Sequence, residues 1–179
     1  MTDPDELAQA LLTLAAAFEA MGVTWAIGGS LASAAHGEPR STNDVDVIAR
    51  LDEKSARLLT ERLQPTFYAD ESSAVEAVRG RGSFNVIDNR SILKIDIFVP
   101  ADGPLGVGQL DRRRLLELFT GVPAFPVLGP EDTVLQKLRW YQLGGEISDR
   151  QWRDITSVLR HAATEIDNGG WTHLRRDHE

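Results

Sequence analysis

One stretch limits the architecture of this 179-residue chain more than any other: Ile92-Leu93-Lys94-Ile95-Asp96-Ile97-Phe98-Val99, an apolar run with an acid in its middle. Side chains two apart along a strand share a face. Leu93, Ile95, Ile97 and Val99 then form one aliphatic face, leaving Ile92, Lys94, Asp96 and Phe98 on the other. A carboxylate among aliphatics is costly to bury unless it is paired or bound to a cation. A second short segment has the same alternation. In Asp44-Val45-Asp46-Val47 the two acids point one way and the two valines the other. If these strands are neighbours, Asp44, Asp46 and Asp96 converge on one patch.

Such a cluster repels itself, and Mg²⁺ resolves it most simply, because this hard ion takes carboxylate and triphosphate oxygens together. In a two-metal arrangement one ion activates the attacking oxygen and the other steadies the leaving pyrophosphate. An Asp-x-Asp pair alone is more often a surface loop or edge strand, so the third acid carries much of the weight. Upstream, Gly28-Gly29-Ser30 sits where a strand meets a helix. Glycine permits close backbone approach, amides at a helix start favour anions, and Ser30 adds a hydroxyl donor. The tripeptide by itself is more often an ordinary strand-to-helix turn. It is not a Walker A loop, since no Gly-Lys-Ser/Thr follows.

Taken in order, Ile27-Gly28-Gly29-Ser30, then Gly37-Glu38-Pro39-Arg40-Ser41-Thr42-Asn43-Asp44-Val45-Asp46-Val47, then Asp96, resemble the signature of the DNA polymerase β-like nucleotidyltransferases. The string is most similar to the branch holding the small AbiEii/MenT-type nucleotidyltransferases. Pro130-Glu131-Asp132 with Lys137, and Ser148-Asp149-Arg150-Gln151-Trp152-Arg153-Asp154-Ile155, resemble the later motifs of that group. The resemblance spans roughly residues 20–160. It implies that Gly28, Gly29 and Ser30 hold phosphate, that Asp44, Asp46 and Asp96 bind metal, and that Asp96 is also the base. It implies further that Lys137 contacts the triphosphate and that Asp154 supports it. The tail departs from the pattern, because Asp149 and Asp154 are five residues apart.

Read without the resemblance, Lys137 borders a Val134, Leu138, Tyr141 stripe, where a lysine can equally snorkel to solvent. Asp154 is in reach of Lys137 or Arg153. Arg40 is either a phosphate contact or a plain loop arginine. His36, at a predicted helix end, is expected to be a cap or surface residue rather than a catalytic one. The tryptophans read as core or rim residues.

The composition removes several other classes. Cysteine is absent, so disulfides, thiolate metal sites and a Cys nucleophile are excluded. The start lacks the basic-then-apolar order of a signal peptide, and no apolar run approaches about 18 residues. A cytoplasmic protein with no membrane contact is expected. A net charge of −8 argues against a general nucleic-acid-coating surface.

Helices are expected at about 5–20, 30–36, 52–64 and 110–119, from Pro130 to Leu143, and from Ser148 to Ala163. Strands are expected at 23–27, 44–49, 83–88, 91–99 and 122–128, with Asn89-Arg90 closing a hairpin. Residues 38–43 and 102–108 read as loops, and 65–82 is unassigned beyond a helix at 72–79. Gly144-Gly145 should stop the penultimate helix. The fold class is α+β: a mixed sheet of the nucleotidyltransferase type covered by helices, with a C-terminal helical segment. The corresponding division is a core over 1–128, helices over 129–164 and a polar, partly disordered tail over 165–179.

The expected activity is transfer of a nucleoside monophosphate from an NTP to an acceptor hydroxyl, with Mg²⁺ or Mn²⁺. A tRNA end, a protein side chain and a small molecule such as an aminoglycoside all fit as acceptor. The family resemblance adds the toxin of a toxin–antitoxin pair, with a cognate antitoxin as partner. The alternative from another class is a non-catalytic nucleotide-binding or protein-interaction module with the same fold.

Overall fold

Two neighbouring strands that turn Val45, Val47, Ile95 and Ile97 to one side organise the molecule. In the computed structural model, which describes residues 3–39, 45–143 and 148–163, β2 (Val45–Ala49) and β5 (Lys94–Phe98) pair in parallel. Val45, Val47, Ile95 and Ile97 are fully buried in the main core, and Leu93 and Val99 extend the same apolar face. Around this pair lie β1 (Trp25–Ile27), β3 (Phe67–Ala69), β4 (Ser83–Asp88), β6 (Arg114–Leu116) and β7 (Phe125–Val127). The sheet order is β3-β4-β5-β2-β1-β7-β6. The β2–β5 and β1–β7 pairs are parallel and the remainder antiparallel.

Three helices share the core of the aliphatic face. Helix α1 (Pro4–Ala20) is capped by the Asp3 carboxylate, which accepts from the Asp5 amide, and buries Leu7, Leu11, Leu14 and Phe18. Helix α3 (Glu53–Leu63) opens on a reciprocal capping box between Asp52 and Ser55 and buries Ala56, Leu59 and Leu63. Helix α4 (Glu71–Gly80) begins at an Asp70 cap and buries Ala74, Ala77 and Val78. The opposite sheet face is treated differently. There Ile48 and Ala26 pack with Leu110 of α5 (Pro104–Asp111), Leu128 and Phe98, while the lower part of β2 and β5 is left to polar side chains.

Helix α2 (Gly29–His36) follows β1 directly, and α6 (Pro130–Leu143) and α7 (Asp149–His161) both pack on it. The Glu38 amide donates to Ser157 Oγ at 2.7 Å, and a Cβ on Gly37 would stand 2.5 Å from that oxygen. Ser148 caps α7 by accepting from the Gln151 amide at 3.3 Å. The start of α6 is tied down by Arg112, whose guanidinium holds the buried Asp132 carboxylate at 2.6 and 2.9 Å. Among the described residues no helix is long and apolar enough to cross a membrane.

The departures from the sequence reading are local. Residues 65–82 hold a strand, β3, beside the expected helix, now α4. The helix expected at 110–119 is replaced by α5 at Pro104–Asp111, which starts on Pro104, and by β6, which pairs with β7. Pairing with a distant strand outweighs the local helix preference of Arg114-Leu115-Leu116. Strand β5 begins at Lys94, because Ile92 takes φ +57, lies 72% exposed and breaks the extended run; the connection is therefore longer than Asn89-Arg90. The Gly144-Gly145 stop and the 165–179 tail lie outside the described residues.

The Asp52 box gives a direct test. Hydrogen bonds from the Ser55 hydroxyl and amide hold its carboxyl below the ordinary 3.8. A lowered folded-state value means that the stabilisation is complete above that ordinary value and is lost as pH falls through the folded one. Asp52→Ala should lower the stability by about 1 kcal/mol in urea unfolding at neutral pH. The gap between the two proteins should shrink on acidification below the ordinary value of 3.8.

Candidate active site

The polar patch is assembled from the end of β1, the middles of β2 and β5, and the sides of α6 and α7. Past Ile27 the ladder continues for one residue, as the Gly28 amide donates to the Asp46 carbonyl at 2.9 Å. This brings the start of α2 against β2. A Cβ on Gly29 would lie 1.7 Å from Asp46 Oδ2, and one on Gly28 would lie 2.5 Å from Ile48 Cδ1. Gly29 also has φ +58, the left-handed region that favours glycine. Glycine is therefore required here for space and for backbone conformation, and the Asp46 carboxylate rests against the bare Cα of Gly29.

Helix α2 is pinned at both ends. Ser33 Oγ donates to the Gly29 carbonyl at 2.9 Å, and the Gly29 amide donates to Gln136 Oε1 of α6 at 3.3 Å. That first amide, expected to serve a phosphate, is thus engaged by a side chain. At the far end His36 Nε2 lies 2.7 Å from the Leu128 carbonyl. His36 is only 9% exposed, which corrects the surface or cap reading. It ties α2 to the strand β7 side of the sheet and takes no place in the cavity.

Asp46 and Asp96 are register partners across the parallel β2–β5 pair, and Asn85 of β4 flanks Asp96 on its other side. Adjacent strands lie about 4.8 Å apart, so the two carboxylates leave the sheet side by side. Lys94, two residues before Asp96 on the same face, places Nζ 2.8 Å from Asp96 Oδ2. Asp46, Asp96, Lys94, Gly29 and Ser30 line one cavity of about 280 Å³, closed by Gln136, Lys137 and Trp140 of α6 and by Arg150 and Gln151 of α7. Among the described residues no group of three acidic or histidine side chains gathers around a common point. Asp44 and Arg40, expected at this site, lie outside the described residues.

Lys137 and Asp154 meet, as one of the two sequence alternatives held. Their side chains are 7% and 6% exposed, and Nζ stands 2.7 Å from Asp154 Oδ2. The lysine borders the cavity with its ammonium bonded to α7, so it joins α6 to α7 as well as bringing positive charge to the wall. Snorkelling to solvent is ruled out by its burial. Gln136, Lys94, Arg150 and Gln151 were not selected from sequence. For Lys94 the signal was present, since the strand phase put it beside Asp96. For Gln136 there was none, its partner being 107 residues away. Gln151 Oε1 is buried without a hydrogen-bond partner among the described residues.

A second hollow of about 340 Å³ adjoins the first, sharing Gln136 and Trp140, and is walled by Ile48, Phe98, Leu105 and Leu135. Trp140 stands edge-on to Phe98 at 4.9 Å between ring centres. The site is thus a polar, doubly charged floor with an apolar extension along the same sheet face.

Solved structures share this arrangement of sheet and helices over most of the chain. ANT(2″)-Ia in complex with adenylyl-2″-tobramycin matches with a TM-score of 0.61 at 13% identity, over 96% of this chain and 96% of that one. The lincosamide antibiotic adenylyltransferase LnuA, with lincomycin bound, matches with 0.55 at 14% identity, over 88% and 96%. An antigenic nucleotidyltransferase-like protein from Paracoccidioides brasiliensis matches with 0.57 at 20% identity, over 91% and 78%. The chain has the nucleotidyltransferase fold. No protein-family model matches it, and no curated protein matches it in sequence. The α+β class and the mixed sheet expected from sequence are those of this fold.

Within this nucleotidyltransferase fold, two features have consequences that unfolding measurements can detect. Lys137→Met leaves the buried Asp154 carboxylate without its cation and should cost roughly 3–5 kcal/mol in urea unfolding, whereas Lys137→Met with Asp154→Leu should recover most of that loss. Gly29→Ala should cost at least about 1 kcal/mol, because a left-handed alanine is strained and its methyl collides with Asp46.

Proposed function

We propose that the chain is a divalent-metal-dependent nucleotidyltransferase that moves a nucleoside monophosphate from an NTP to the hydroxyl of an acceptor. One observation carries the reading: Asp46 and Asp96 stand in register on adjacent strands and line one cavity with Gly29 and Ser30. The likeness to adenylyltransferases supports it.

The donor set suits a hard cation, since the acids that meet are carboxylates and no softer ligand lines the cavity among the described residues. Asp46, with Asp44 and Asp96 as the further expected ligands, would hold Mg²⁺. When bound, the ion offsets phosphate charge and lowers the pKa of oxygens attached to it. The remaining work falls to the chain itself. Ser30 donates its hydroxyl to the phosphates, and Lys94, Lys137 and Arg150 surround the polyanion with positive charge. Gln136 fixes the glycine turn, and Trp140 forms the wall between the two hollows. The acceptor oxygen forms a bond to the α-phosphorus as the bond from that phosphorus to the bridging oxygen breaks. Pyrophosphate leaves, and the hydroxyl proton passes to Asp96. Rate enhancement arises from positioning and charge neutralisation.

For the acceptor, a small hydroxyl-bearing molecule is favoured by the adjoining apolar hollow, which is of small-molecule size. A tRNA end or a protein side chain, and with them a toxin role with a cognate antitoxin, are the remaining acceptor classes to be separated by experiment.

Labelled NTPs incubated with the protein, Mg²⁺ and separate pools of small hydroxylated compounds, RNA and protein should give transfer to the small-molecule pool. Asp46→Asn should lower the transfer by at least about a hundredfold with the fold intact by circular dichroism. Calorimetric binding of Mg·NTP with no transfer to any pool would instead identify a nucleotide-binding module, and absence of both would refute the reading.

A further inference from the structure

The acid pair has a continuation along the same two strands. Asp46 and Ile48 are i and i+2 on β2, Asp96 and Phe98 are i and i+2 on β5, and both pairs are in register across the ladder. All four therefore leave the sheet on one face, with Ile48 and Phe98 about 6.6 Å further along it, at about 3.3 Å per residue. The carboxylates line the first cavity, and the apolar pair lines the second hollow beside it. Trp140 meets the Phe98 ring edge-on, and Leu105 of α5 and Leu135 of α6 complete the apolar wall. A molecule with its hydroxyl at the acids can thus lay its body along Ile48 and Phe98.

Charge sets what the far part of that body can be. Among the described residues the titratable groups lining the hollow are Arg81, Asp132 and Arg139. Asp132 is already neutralised: its carboxylate is 3% exposed and accepts from two guanidinium nitrogens of Arg112, at 2.6 and 2.9 Å. Arg81 is bonded to Asp102 at 2.8 Å. Arg139 is exposed, and no hydrogen bond or ion pair engages it among the described residues. On α6 it follows Asp132 and Leu135 at the spacing of one helical face, and this stripe lines the hollow while Lys137 lines the first cavity. Arg139 is three residues from Gln136, which both cavities share, or about 4.5 Å along the helix axis. Among the described residues, then, the hollow presents a guanidinium and no free carboxylate.

From this arrangement we infer that the hollow selects its acceptor by charge: a small alcohol with an apolar body and one carboxylate, the carboxylate being taken by Arg139. The inference rests on the nucleotidyl-transfer reading above and names the acceptor class within it. A guanidinium meets a carboxylate through two parallel N–H bonds, and a single guanidinium balances a singly charged group better than a doubly charged phosphate. Polyamines such as the aminoglycosides are disfavoured for the same reason. Their ammonium groups would face Arg139 with no carboxylate to neutralise them, and Ile48, Leu105 and Leu135 offer them no acceptor. Phe98 and Trp140 pack edge to face on each other rather than as the two walls of a cation cage.

The test uses the full chain, Mg²⁺, a mixture of labelled NTPs and a set of small alcohols. Each apolar body in the set occurs in three versions, ending in a carboxylate, a carboxamide or an aminomethyl group; para-hydroxymethylbenzoate and its two counterparts form one such trio. Transfer should be greatest to the carboxylates and least to the amines. Arg139→Gln should lower kcat/KM on the carboxylates by about tenfold, chiefly through KM, and bring them level with the amides. Arg139→Glu should put the amines first. Arg81→Gln, which removes a guanidinium that is already paired, should keep the wild-type order. Circular dichroism checks that each variant is folded. A wild-type preference for the amines or amides overturns the inference and leaves nucleotidyl transfer standing, as does a carboxylate preference that survives Arg139→Gln. Labelling of no member of the set overturns it too, and calorimetry with Mg·NTP then decides the nucleotidyl-transfer reading separately.

Discussion

The contact between the Asp46 carboxylate and the naked Cα of Gly29 governs the geometry of everything around it. With any side chain at position 29, that oxygen and a Cβ would compete for the same space, 1.7 Å apart. The missing Cβ lets helix α2 begin flush against β2, and the left-handed φ of Gly29 turns the chain there. Once α2 is so placed, Gln136 can reach the Gly29 amide, and α6 and α7 can stack on α2. The buried Lys137–Asp154 pair then joins those two helices, with Lys137 on the cavity wall. A contact of atomic dimensions therefore sets the position of three helices.

The sheet supplies the other half of the site through its register. Asp46 and Asp96 are paired because β2 and β5 run parallel with Val45 opposite Ile95 and Val47 opposite Ile97. The valines and isoleucines bury into one core, and the acids are forced to the other face as a consequence. A slip of one residue would exchange the two faces and put carboxylates into the hydrocarbon. The apolar packing that stabilises the fold is what aligns the charged residues, so stability and chemistry share one constraint. The lysine that meets Asp96 is part of that alignment, placed by the same two-residue period.

Much of this was legible in the chain. The alternation around Asp96 and around Asp46 is strong, and the helices expected at about 5–20, at 52–64 and from Ser148 are α1, α3 and α7 of the structure. Short elements held by distant partners were not legible. Phe67–Ala69 is a three-residue strand visible only through its pairing with β4, and Arg114–Leu116 is strand only because β7 lies beside it. His36 reads as a surface residue until the Leu128 carbonyl is brought to its ring, 92 residues away in sequence.

The sequence by itself determined the period of β2 and β5, the side on which each acid emerges, the glycines of the turn and the resemblance that ties them together, because these depend on neighbours one to four positions apart. Only the tertiary structure decided that Asp46 presses on Gly29 and that Gln136 caps the turn. It alone brought Lys137 and Asp154 together out of water. Each of these is a contact between groups whose nearness depends on how whole elements pack, and local spacing along a chain carries no record of it.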